Sequence, residues 1–306
     1  MEEIKFEGYN GYPLTVCVWD EVSKPNCVMI LSHGMVEHMR RYDDFANFLN
    51  TQGVVVVGDD HRGHGKTCGL DKLGIVPDGD SFWDTVEDGI VLTDWAKEKY
   101  NLPIILFGHS YGSFLSQAYL ELASEKIEAC ILCGSAKQDG IDVAAGRLVA
   151  NLQFAFGGKD KPAKLIKKLS FDGYCKKFKE EKDKEACWIN RDEQEREKYI
   201  HDPMSNYVAS VGFYKYFFNG LKEIYRKENL EHIRKDIPIF VISGGQDPVG
   251  RNGESVNDLY EMYRNLGVDN VKVKLYAGAR HEILNELNKK EVYQDVIEFV
   301  NKIVKK

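Results

Sequence analysis

The sequence predicts an α/β fold with a mostly parallel eight-stranded sheet, helices on both faces of that sheet and an inserted helical cap. Short, continuous apolar runs, such as residues 27–32 and 54–58, are typical of strands that are buried on both faces of a parallel sheet. Segments with helical spacing of apolar residues lie between such runs, and this alternation predicts βαβ units. The alternation stops between residues 136 and 206, and a chain of 306 residues is long enough to carry an insertion on one large domain.

An antiparallel hairpin is expected at the start of the chain. Residues 4–9 and 12–19 are separated by Asn10 and Gly11, and Asn-Gly is a strong signal for a tight turn between two strands. Residues 42–52, which follow the first buried run, keep their aromatic and leucine side chains on one helical face. These segments therefore form the first part of the sheet and its first covering helix.

A long helix is predicted at residues 81–100, where Ser81 and Asp84 have the spacing of a capping box. The alternation then continues to the end of the chain, with strands predicted at residues 104–107, 127–133, 237–243 and 271–276 and helices at residues 256–266 and 291–304. We therefore expect a core made of residues 1–135 and 207–306 and a helical cap, or lid, made of residues 136–206.

Charge and hydropathy argue against several classes of protein. The net charge is −7 and no basic, aromatic-interleaved tract is present, so nucleic acid is not expected as a partner. The N-terminus is acidic and lacks the apolar region of a leader, and no apolar run has the length needed to cross a bilayer. These features predict a cytoplasmic location.

The seven cysteines favour reduced thiols, because their number is odd and a chain of this size does not need disulfides to fold. Cys130 and Cys133 have the spacing of a redox or metal half-site, but they lie on a predicted strand, where this spacing points their side chains to opposite faces. No other His, Cys or Asp cluster has metal-ligand spacing. The sequence therefore predicts a chemistry that needs neither a metal nor a cofactor.

Residues 103–114 carry the clearest chemical signal. A short apolar run ends at Gly108, and the apolar residues after Gly112 recur at helical spacing, which predicts a strand, a sharp turn and a helix. Ser110 then lies at the tip of the turn, and the flanking glycines are needed where strand and helix pass too close for side chains. This context indicates the nucleophile elbow of a serine hydrolase.

A base and an acid for Ser110 are expected at the carboxyl ends of later strands, because ligands bind at that edge of a parallel sheet. Asp247 follows the predicted strand at residues 237–243, and His281 follows the strand at residues 271–276. The order Ser, Asp, His along the chain is that of the α/β-hydrolase triad. We therefore assign Ser110 as nucleophile, His281 as base and then acid, and Asp247 as the residue that orients the imidazole.

Two backbone amides are candidates for an oxyanion hole. Residues 33–38 follow the first parallel strand, and there the Met35 N–H can face the same point as the Tyr111 N–H at the start of the elbow helix. Residues 60–65 also follow a strand and contain two histidines. We interpret them as a structural loop, because their glycines form a tight turn and the triad already has a base.

Five motifs together resemble those of the monoacylglycerol lipase and bacterial lysophospholipase group of α/β-hydrolases: His33-Gly34-x-x-Glu37-His38-x-x-Arg41-Tyr42, Asp60-x-Arg62-Gly63-His64-Gly65, Gly108-His109-Ser110-x-Gly112, Asp247-Pro248-Val249 and Ala279-Arg280-His281-Glu282. The match covers the chain from end to end, and Trp188-x-x-Arg191-Asp192 and Asp202-Pro203 in the predicted cap fit it too. This resemblance implies the α/β-hydrolase fold and a carboxylester hydrolase for a single-chain lipid or similar ester, with a cap that shields the acyl chain.

The same resemblance implies roles for three further residues. It implies that Glu37 and Arg41 help to hold the polar alcohol end of the substrate. Tyr111 is a departure, because the animal enzymes of the group carry a small or flexible residue at that position. Its bulky ring is expected to narrow the pocket and to disfavour long acyl chains.

The predicted activity is hydrolysis of monoacylglycerol- or lysophospholipid-like esters through an acyl-enzyme. A short-chain or aromatic-acid (feruloyl-type) esterase and a peptidase are alternatives, because the same fold carries many chemistries. Dehalogenase and epoxide hydrolase chemistry is disfavoured, since it needs an aspartate where Ser110 stands. A non-catalytic binding protein would be expected to carry a damaged triad, and this sequence does not.

Residues 159–190, within the predicted cap, hold ten lysines and six acidic residues. One interpretation is a basic lid that makes transient contact with an anionic lipid surface. The other is an ordinary solvated helical face, which is the commoner cause of a charge run.

Overall fold

The computed structural model describes residues 1–181 and 185–305. Within them, eight strands form one sheet, in the spatial order β1-β2-β4-β3-β5-β6-β7-β8. The strands are β1 (Glu2–Glu7), β2 (Pro13–Trp19), β3 (Cys27–Ser32), β4 (Val54–Asp60), β5 (Ile104–His109), β6 (Ala129–Cys133), β7 (Ile239–Gly244) and β8 (Val271–Tyr276). The predicted eight-stranded sheet is confirmed, and each strand lies at or close to its predicted position.

The described part of the chain also forms α-helices of very different length. They are α1 (Asp43–Thr51), α2 (Gly65–Cys68), α3 (Ser81–Tyr100), α4 (Tyr111–Ala123), α5 (Ile141–Ala155), α6 (Lys164–Phe171), α7 (Glu193–His201), α8 (Val211–Glu223), α9 (Lys227–Leu230), α10 (Glu254–Asn265) and α11 (Lys289–Val304). Helices α3, α4 and α10 contribute buried side chains to one face of the sheet, and α1 and α11 contribute them to the other.

Strand pairing places the ends of the central strands side by side. β1 pairs with β2 and β2 with β4 in antiparallel fashion, and every other pair is parallel. Ser32 at the end of β3 pairs with Gly108 near the end of β5. The loop that follows β3 and the turn that follows β5 therefore emerge next to each other at the carboxyl edge of the sheet.

Successive residues of the central strands pack into two different hydrophobic cores. Val28 and Ile30 of β3 belong to the core under α3 and α4, whereas Met29 and Leu31 belong to the core under α1 and α11. Burial of each such side chain stabilises the fold by roughly 1.5–3 kcal/mol, which explains why both faces of these strands are apolar. Cys130 and Cys133 follow the same rule: as predicted, they lie in opposite cores.

Between β6 and β7, the described residues form helices and one isolated bridge, between Pro162 and Ser210. Helix α5 packs on α8, and α8 packs on α3 of the core. A short 3-10 helix, Tyr174–Lys177, follows α6. Residues 182–184 of the predicted basic segment lie outside the described residues.

Two local details differ from the prediction. The predicted capping box at Ser81 is wrong, because Ser81 is already the first residue of α3 and Asp80 takes the N-cap position, without a side-chain cap hydrogen bond. The hairpin connection is longer than a two-residue turn: it is a 3-10 turn, Tyr9–Gly11, with Asn10 at a φ of 55°. Neither difference changes the sheet.

The cysteines also differ from the expectation. A disulfide joins Cys175 to Cys187 within the inserted segment, so the expectation of reduced thiols is wrong for this pair. The other five are free: Cys17, Cys27, Cys68, Cys130 and Cys133. Among residues 1–181 and 185–305, no helix combines the length and the apolar character that crossing a bilayer requires. The cytoplasmic location stays a prediction.

Candidate active site

Ser110 lies between β5 and α4 in a strained conformation. Its φ is 52° and its ψ is −117°, a region that residues other than glycine rarely adopt. A Cβ atom at Gly108 would collide with the carbonyl oxygen of Gly112, and a Cβ at Gly112 would collide with that of Ser32. Glycine is therefore the only residue that fits at both positions, and the strand, sharp turn and helix predicted here are present.

The structure brings the three predicted triad residues together. The Nε2 atom of His281 is 2.8 Å from the Ser110 Oγ, and its Nδ1 atom is 2.8 Å from the Asp247 Oδ2. Asp247 follows β7 and is completely buried, where it also accepts hydrogen bonds from the Ser243 hydroxyl and the Val249 N–H. With Asp247 ionised, Nδ1–H donates to the carboxylate and Nε2 is left to accept the Ser110 proton.

The electrostatics of this pair reinforce that arrangement. Burial disfavours the charged imidazolium, but the Asp247 carboxylate outweighs it and raises the pKa of His281 above its ordinary value. Burial opposes ionisation of Asp247 too, yet His281 and the other hydrogen bonds lower the pKa of Asp247 below its ordinary value. Asp247 is therefore ionised at neutral pH and can stabilise a proton on His281.

Two aromatic rings flank His281. The His109 and Trp188 rings each lie 5.1 Å from the His281 ring between centroids. Burial, followed by the nearby His281, lowers the pKa of His109 to about 4, so this ring is neutral at neutral pH. The Trp188 carbonyl also accepts the His281 backbone N–H, at 3.4 Å. The sequence signalled Trp188 only through its motif, and its contact with His281 was not predicted.

The predicted oxyanion amides line the same cavity as Ser110. Within the described residues, neither the Met35 N–H nor the Tyr111 N–H donates a hydrogen bond to another group. Gly34 lets the loop approach the elbow, because a Cβ there would lie 3.3 Å from the Ser110 Cβ and would also collide with the Glu37 carboxylate. Both amides are thus available beside the Ser110 hydroxyl.

Glu37 lines this cavity but is largely occupied by the protein itself. Its Oε1 accepts the Gly34 N–H at 2.6 Å and the Tyr42 hydroxyl at 2.7 Å. Its Oε2 accepts one hydrogen bond from Arg41, at 2.5 Å. A carboxylate has about four acceptor positions, so one position on Oε2 is left for a substrate group.

Arg41 lies behind the wall of the cavity and pairs with two of its carboxylates. It does not line the cavity. Its guanidinium forms two hydrogen bonds to the Glu282 carboxylate, at 2.8 and 2.9 Å, and lies 4.7 Å from the centre of the Tyr199 ring. Although burial opposes ionisation, Arg41 lowers the pKa of Glu282 to about 2. Arg41 therefore braces the site from outside the cavity lining, and its implied part in holding the alcohol end of the substrate stays a prediction.

The histidines of the loop at residues 60–65 are part of a buried network. The His61 ring lies 3.0 Å from the Asp59 carboxylate through Nδ1 and 3.0 Å from the Ser32 hydroxyl through Nε2. The backbone N–H of His61 donates to the His33 Nε2. His64 is also buried, and neither histidine lines the cavity. These contacts support the structural interpretation of this loop.

Ser110 opens into a cavity of about 1020 Å³. The Tyr111 ring at its wall is buried and packs on Phe213 and Phe217, with centroids 5.1 and 5.5 Å apart. The ring points into the core beneath α8, and the expected narrowing of the pocket at Tyr111 does not close it. A cavity of this volume is at the upper end of the range for small-molecule sites, roughly 300–1,000 Å³.

A family model covers most of the chain. The model for Hydrolase_4, described as Serine aminopeptidase, S33, matches residues 23–288. The chain belongs to this family. The matched range includes the elbow, the inserted segment, Asp247 and His281, so it spans every element that builds the site.

Two lipases and one esterase are similar to this chain over almost its whole length. A monoacylglycerol lipase of Mycolicibacterium smegmatis is 27% identical over 307 residues, which cover 97% of this chain and 96% of that protein. A monoglyceride lipase of Mus musculus is 25% identical over 293 residues, which cover 95% of this chain and 86% of that protein. A thermostable carboxyl esterase from Bacillus coagulans, solved in complex with glycerol, superposes with a TM-score of 0.90 at 29% identity and covers 99% of this chain and 98% of that one.

These findings confirm three sequence-based predictions: the α/β-hydrolase fold, membership of the monoacylglycerol lipase-like group, and carboxylic ester hydrolysis as the reaction class.

Proposed function

We propose that the chain is a serine carboxylester hydrolase for monoacylglycerol- or lysophospholipid-like single-chain esters, with Ser110, His281 and Asp247 as its catalytic triad. The observation that carries the proposal is the continuous hydrogen-bonded chain from Asp247 through His281 to the Ser110 Oγ, which ends at the wall of a large cavity. A serine hydroxyl is a weak nucleophile until a base takes its proton, and here the His281 Nε2 lies 2.8 Å from the Ser110 Oγ.

Acylation begins with attack of the Ser110 Oγ on the ester carbonyl carbon while His281 Nε2 takes the hydroxyl proton. The Met35 and Tyr111 amides hold the resulting oxyanion, and each such donor contributes roughly 3–4 kcal/mol to the barrier reduction in enzymes of this kind. Asp247 stabilises the imidazolium. His281 then gives the proton to the departing alcohol, and the acyl group remains on Ser110.

Deacylation repeats these steps with water in place of the alcohol. His281 takes a proton from the water as its oxygen attacks the acyl carbon, and the same two amides hold the second oxyanion. Collapse of this intermediate breaks the bond to the Ser110 Oγ, which recovers its proton from His281. The products are the free acid and the original enzyme.

The lining of the cavity supports an ester with one apolar and one polar part. Apolar side chains of α5 and α8 form one side of the cavity: Val143, Val149, Phe217, Phe218 and Leu221. Polar groups line another part: Glu37, Tyr199, Asn206 and Glu282. We assign the acyl chain to the apolar side and the alcohol to the polar side, where Glu37 has an acceptor position free.

A peptidase is the second candidate, because the family description names a serine aminopeptidase. An aminopeptidase needs a carboxylate that can pair with the α-ammonium group of its substrate. Glu37 and Glu282 in the cavity wall share a single cation, Arg41. The ester hydrolase is preferred because the relatives with names are monoacylglycerol and monoglyceride lipases and because one side of the cavity is apolar.

The test is a hydrolysis profile of the purified protein on p-nitrophenyl esters of increasing chain length, with monoacylglycerol and lysophosphatidylcholine alongside. An aminoacyl p-nitroanilide reports peptidase activity. We expect hydrolysis of medium or long acyl esters and no turnover by a folded Ser110→Ala variant. Activity restricted to the shortest or to aromatic esters would move the assignment to the alternative esterases, and retained activity of Ser110→Ala would overturn the triad.

We propose that residues 136–206 act as a cap over a core made of residues 1–135 and 207–306. Side chains from α5 and from residues 167–177 line the cavity that Ser110 faces, which supports this division. A cap of this kind excludes water from the acyl chain and sets the size of the substrate.

We further propose that the cap makes transient contact with an anionic lipid surface. In the described part of the cap, six large apolar side chains are exposed on α5, just after it and on α6: Ile141, Leu148, Leu152, Phe156, Leu165 and Leu169. Ile141, Leu148, Leu152 and Phe156 follow one another at intervals of seven, four and four residues. This spacing places them on one face of α5 and of the residue that ends it. Exposed apolar faces beside lysines are typical of helices that lie on a membrane surface.

Sedimentation with vesicles tests this contact. The protein is expected to bind vesicles that contain phosphatidylglycerol more tightly than pure phosphatidylcholine vesicles, and binding should fall in high salt. Replacement of Leu152 and Phe156 by Asp should release it. Leu122→Asp is the matched control, because Leu122 is an exposed leucine of α4, in the core. Equal binding by both variants would contradict the proposal.

A further inference from the structure

The oxyanion loop, residues 33–38, is held by a part of the cap that is distant in sequence. Residues 202–206, which we call the return strap, connect α7 to the final segment before α8. The Asn206 N–H donates to the Val36 carbonyl oxygen at 3.0 Å. The Asp202 Oδ2 lies 2.5 Å from the Nε2 of His38, a buried side chain of the loop. The strap therefore grips the loop at two points.

The loop needs such support because its backbone is strained. Val36 has a φ of 53°, which is unusual for any residue with a Cβ and more so for a β-branched one. Conformations of this kind cost roughly 1–3 kcal/mol and persist only where the surrounding structure holds them. Without the hydrogen bond from Asn206, nothing outside the loop would fix the Val36 carbonyl among the described residues.

Met35 lies between two fixed points. On its N-terminal side, the Gly34 N–H is held by the Glu37 carboxylate at 2.6 Å. On its C-terminal side, the Val36 carbonyl is held by the strap. The Met35 N–H also shares a peptide plane with the Gly34 carbonyl, whose oxygen lies 2.7 Å from the Nδ1 atom of the buried His33. His33, Glu37 and the strap therefore determine together where this amide points.

The strap itself is ordered by its own contacts. The Asp202 carboxylate accepts the Met204 N–H at 2.9 Å and the Ser205 hydroxyl at 2.8 Å. Just after the strap, the Tyr207 hydroxyl donates to the Gly63 carbonyl oxygen of the core at 3.3 Å. The Asp202 side chain thus closes the turn of the strap and reaches the loop at the same time.

We propose that Asp202 and Asn206 of the return strap are positioning residues that aim the Met35 N–H at the oxyanion of the transition state. The proposal rests on the proposed function of Ser110 and its oxyanion hole. It makes the cap part of the catalytic geometry as well as a cover, because a displacement of the strap changes the direction of an oxyanion donor.

The test compares Asp202→Ala with the wild type in three measurements: kcat, KM and the affinity for an alkyl boronic acid, which forms a tetrahedral anion on the serine. We expect kcat to fall by about ten- to a hundredfold, because small displacements of oxyanion donors have effects of this size. KM should change little, because ground-state contacts are kept. The affinity for the boronic acid should fall in parallel with kcat.

Two further variants complete the experiment. Asp202→Asn keeps the size of the side chain and only part of its hydrogen bonds, so its losses should be intermediate; it replaces Asp202→Ala if that variant does not fold. Glu197→Gln changes an exposed residue of α7 that pairs with His201, and it should behave as wild type. Folding of each variant is measured by thermal unfolding.

A folded Asp202 variant with unchanged kcat and boronic acid affinity would overturn the proposal, even if its melting temperature fell. That result would leave the proposed function standing, since wild-type activity would still depend on Ser110. Retained activity of Ser110→Ala would instead show that the proposed function itself is wrong.

Discussion

In the proposed mechanism, His281 must lose a proton before it can accept one from Ser110, so its surroundings are expected to determine the pH range of activity. Burial favours the neutral ring, but Asp247 and, to a smaller degree, Glu282 and Glu37 favour the protonated ring and raise the pKa of His281 above 6.5. The protonated form is inactive. We therefore expect kcat/KM for an uncharged ester to rise with pH through an acid limb whose midpoint lies above 6.5. A midpoint below that value would contradict this electrostatic description.

Glu282 offers a specific check on the same residue. Replacement by Gln removes one negative charge near the imidazole and leaves the positive charge of Arg41 less compensated, and both changes favour the neutral ring. The acid limb of Glu282→Gln should therefore move to lower pH. Glu231→Gln is the matched control. Glu231 is exposed and pairs with Lys227 at the surface, so this variant should leave the acid limb of the pH profile in place.

The sequence located the three residues of the proposed triad because each lies within five residues of the end of a strand, and strands are readable from the sequence pattern. It could not show that Arg41 pairs with Glu282, because these residues are 241 positions apart and meet only in the folded protein. The contact of Trp188 with His281 was hidden for the same reason. Motifs locate the residues that react, whereas the contacts of the residues that hold them depend on the complete fold.

The elbow between β5 and α4 depends on the absence of two side chains. Gly112→Ala places a methyl group against the Ser32 carbonyl oxygen, in a position where only backbone movement can relieve the collision. We expect a loss of stability of about 1–3 kcal/mol, which is typical of an added methyl group in a packed site, together with loss of activity because Ser110 moves. Urea unfolding measures the first effect and ester hydrolysis the second.

Gly89 in the interior of α3 is the matched control for Gly112. A Cβ there meets no atom within 4 Å. Since glycine lowers helix stability relative to alanine, Gly89→Ala should raise stability by roughly 0.5–1 kcal/mol and leave activity unchanged. If both glycine variants lost stability equally, steric crowding would not be what fixes the elbow.

The contact between α5 and α8 is expected to limit the length of the acyl chain. A Cβ at Gly146 of α5 would lie 2.7 Å from the Phe218 Cζ of α8, and both residues line the cavity. Gly146→Ala should push the Phe218 ring into the apolar side of the cavity and shift the preferred ester to shorter chains. The chain-length profile measures this shift. Ala144→Val, on an exposed position of α5 outside the cavity wall, should keep the wild-type profile.

At the scale of helices and strands, sequence patterns predicted the existence of elements better than their ends. The limits of β8 were predicted correctly, because Val271–Tyr276 begins with alternating valine and lysine residues, follows Asn270 and ends just before Ala277 and Gly278. The bounds of α3 were predicted correctly, but its N-cap was assigned to Ser81 when it is Asp80, since both are common N-cap residues and local sequence does not distinguish them. The disulfide was missed because the parity of cysteines says nothing about a pair only twelve residues apart inside the cap.

For the molecule as a whole, Arg41 cross-links three parts of the chain that meet at the site. It pairs with Glu37 in the oxyanion loop and with Glu282 beside His281, and its guanidinium lies on Tyr199 of α7. Glu282 also accepts a hydrogen bond from the Asn190 side chain in the cap, at 3.2 Å. The oxyanion loop, the histidine loop and the cap are thus joined through one buried cation.

This arrangement predicts that the loss of Arg41 destabilises the fold more than the loss of Glu282 does. Arg41→Met leaves two buried carboxylates without their cation, whereas Glu282→Gln leaves Arg41 paired with Glu37. Removal of one partner of a buried ion pair costs roughly 3–5 kcal/mol, and we expect Arg41→Met to reach this range and Glu282→Gln to cost less. The double variant, Arg41→Met with Glu282→Gln, should lose less stability than the two single losses add up to. In it, the Glu282 carboxylate that Arg41→Met alone leaves without a cation is no longer present. Urea unfolding near neutral pH measures all three values.

The same pair should make the protein sensitive to acid. The pKa of Glu282 is lowered from 4.5 to about 2, so its contribution to stability is complete above about pH 4.5 and is lost as the pH falls toward about 2. The difference in unfolding free energy between wild type and Glu282→Gln should therefore shrink across this window, and Glu231→Gln should show no such trend. A difference that stays constant with pH would mean that packing, and not the charge of Glu282, is what the cross-link contributes.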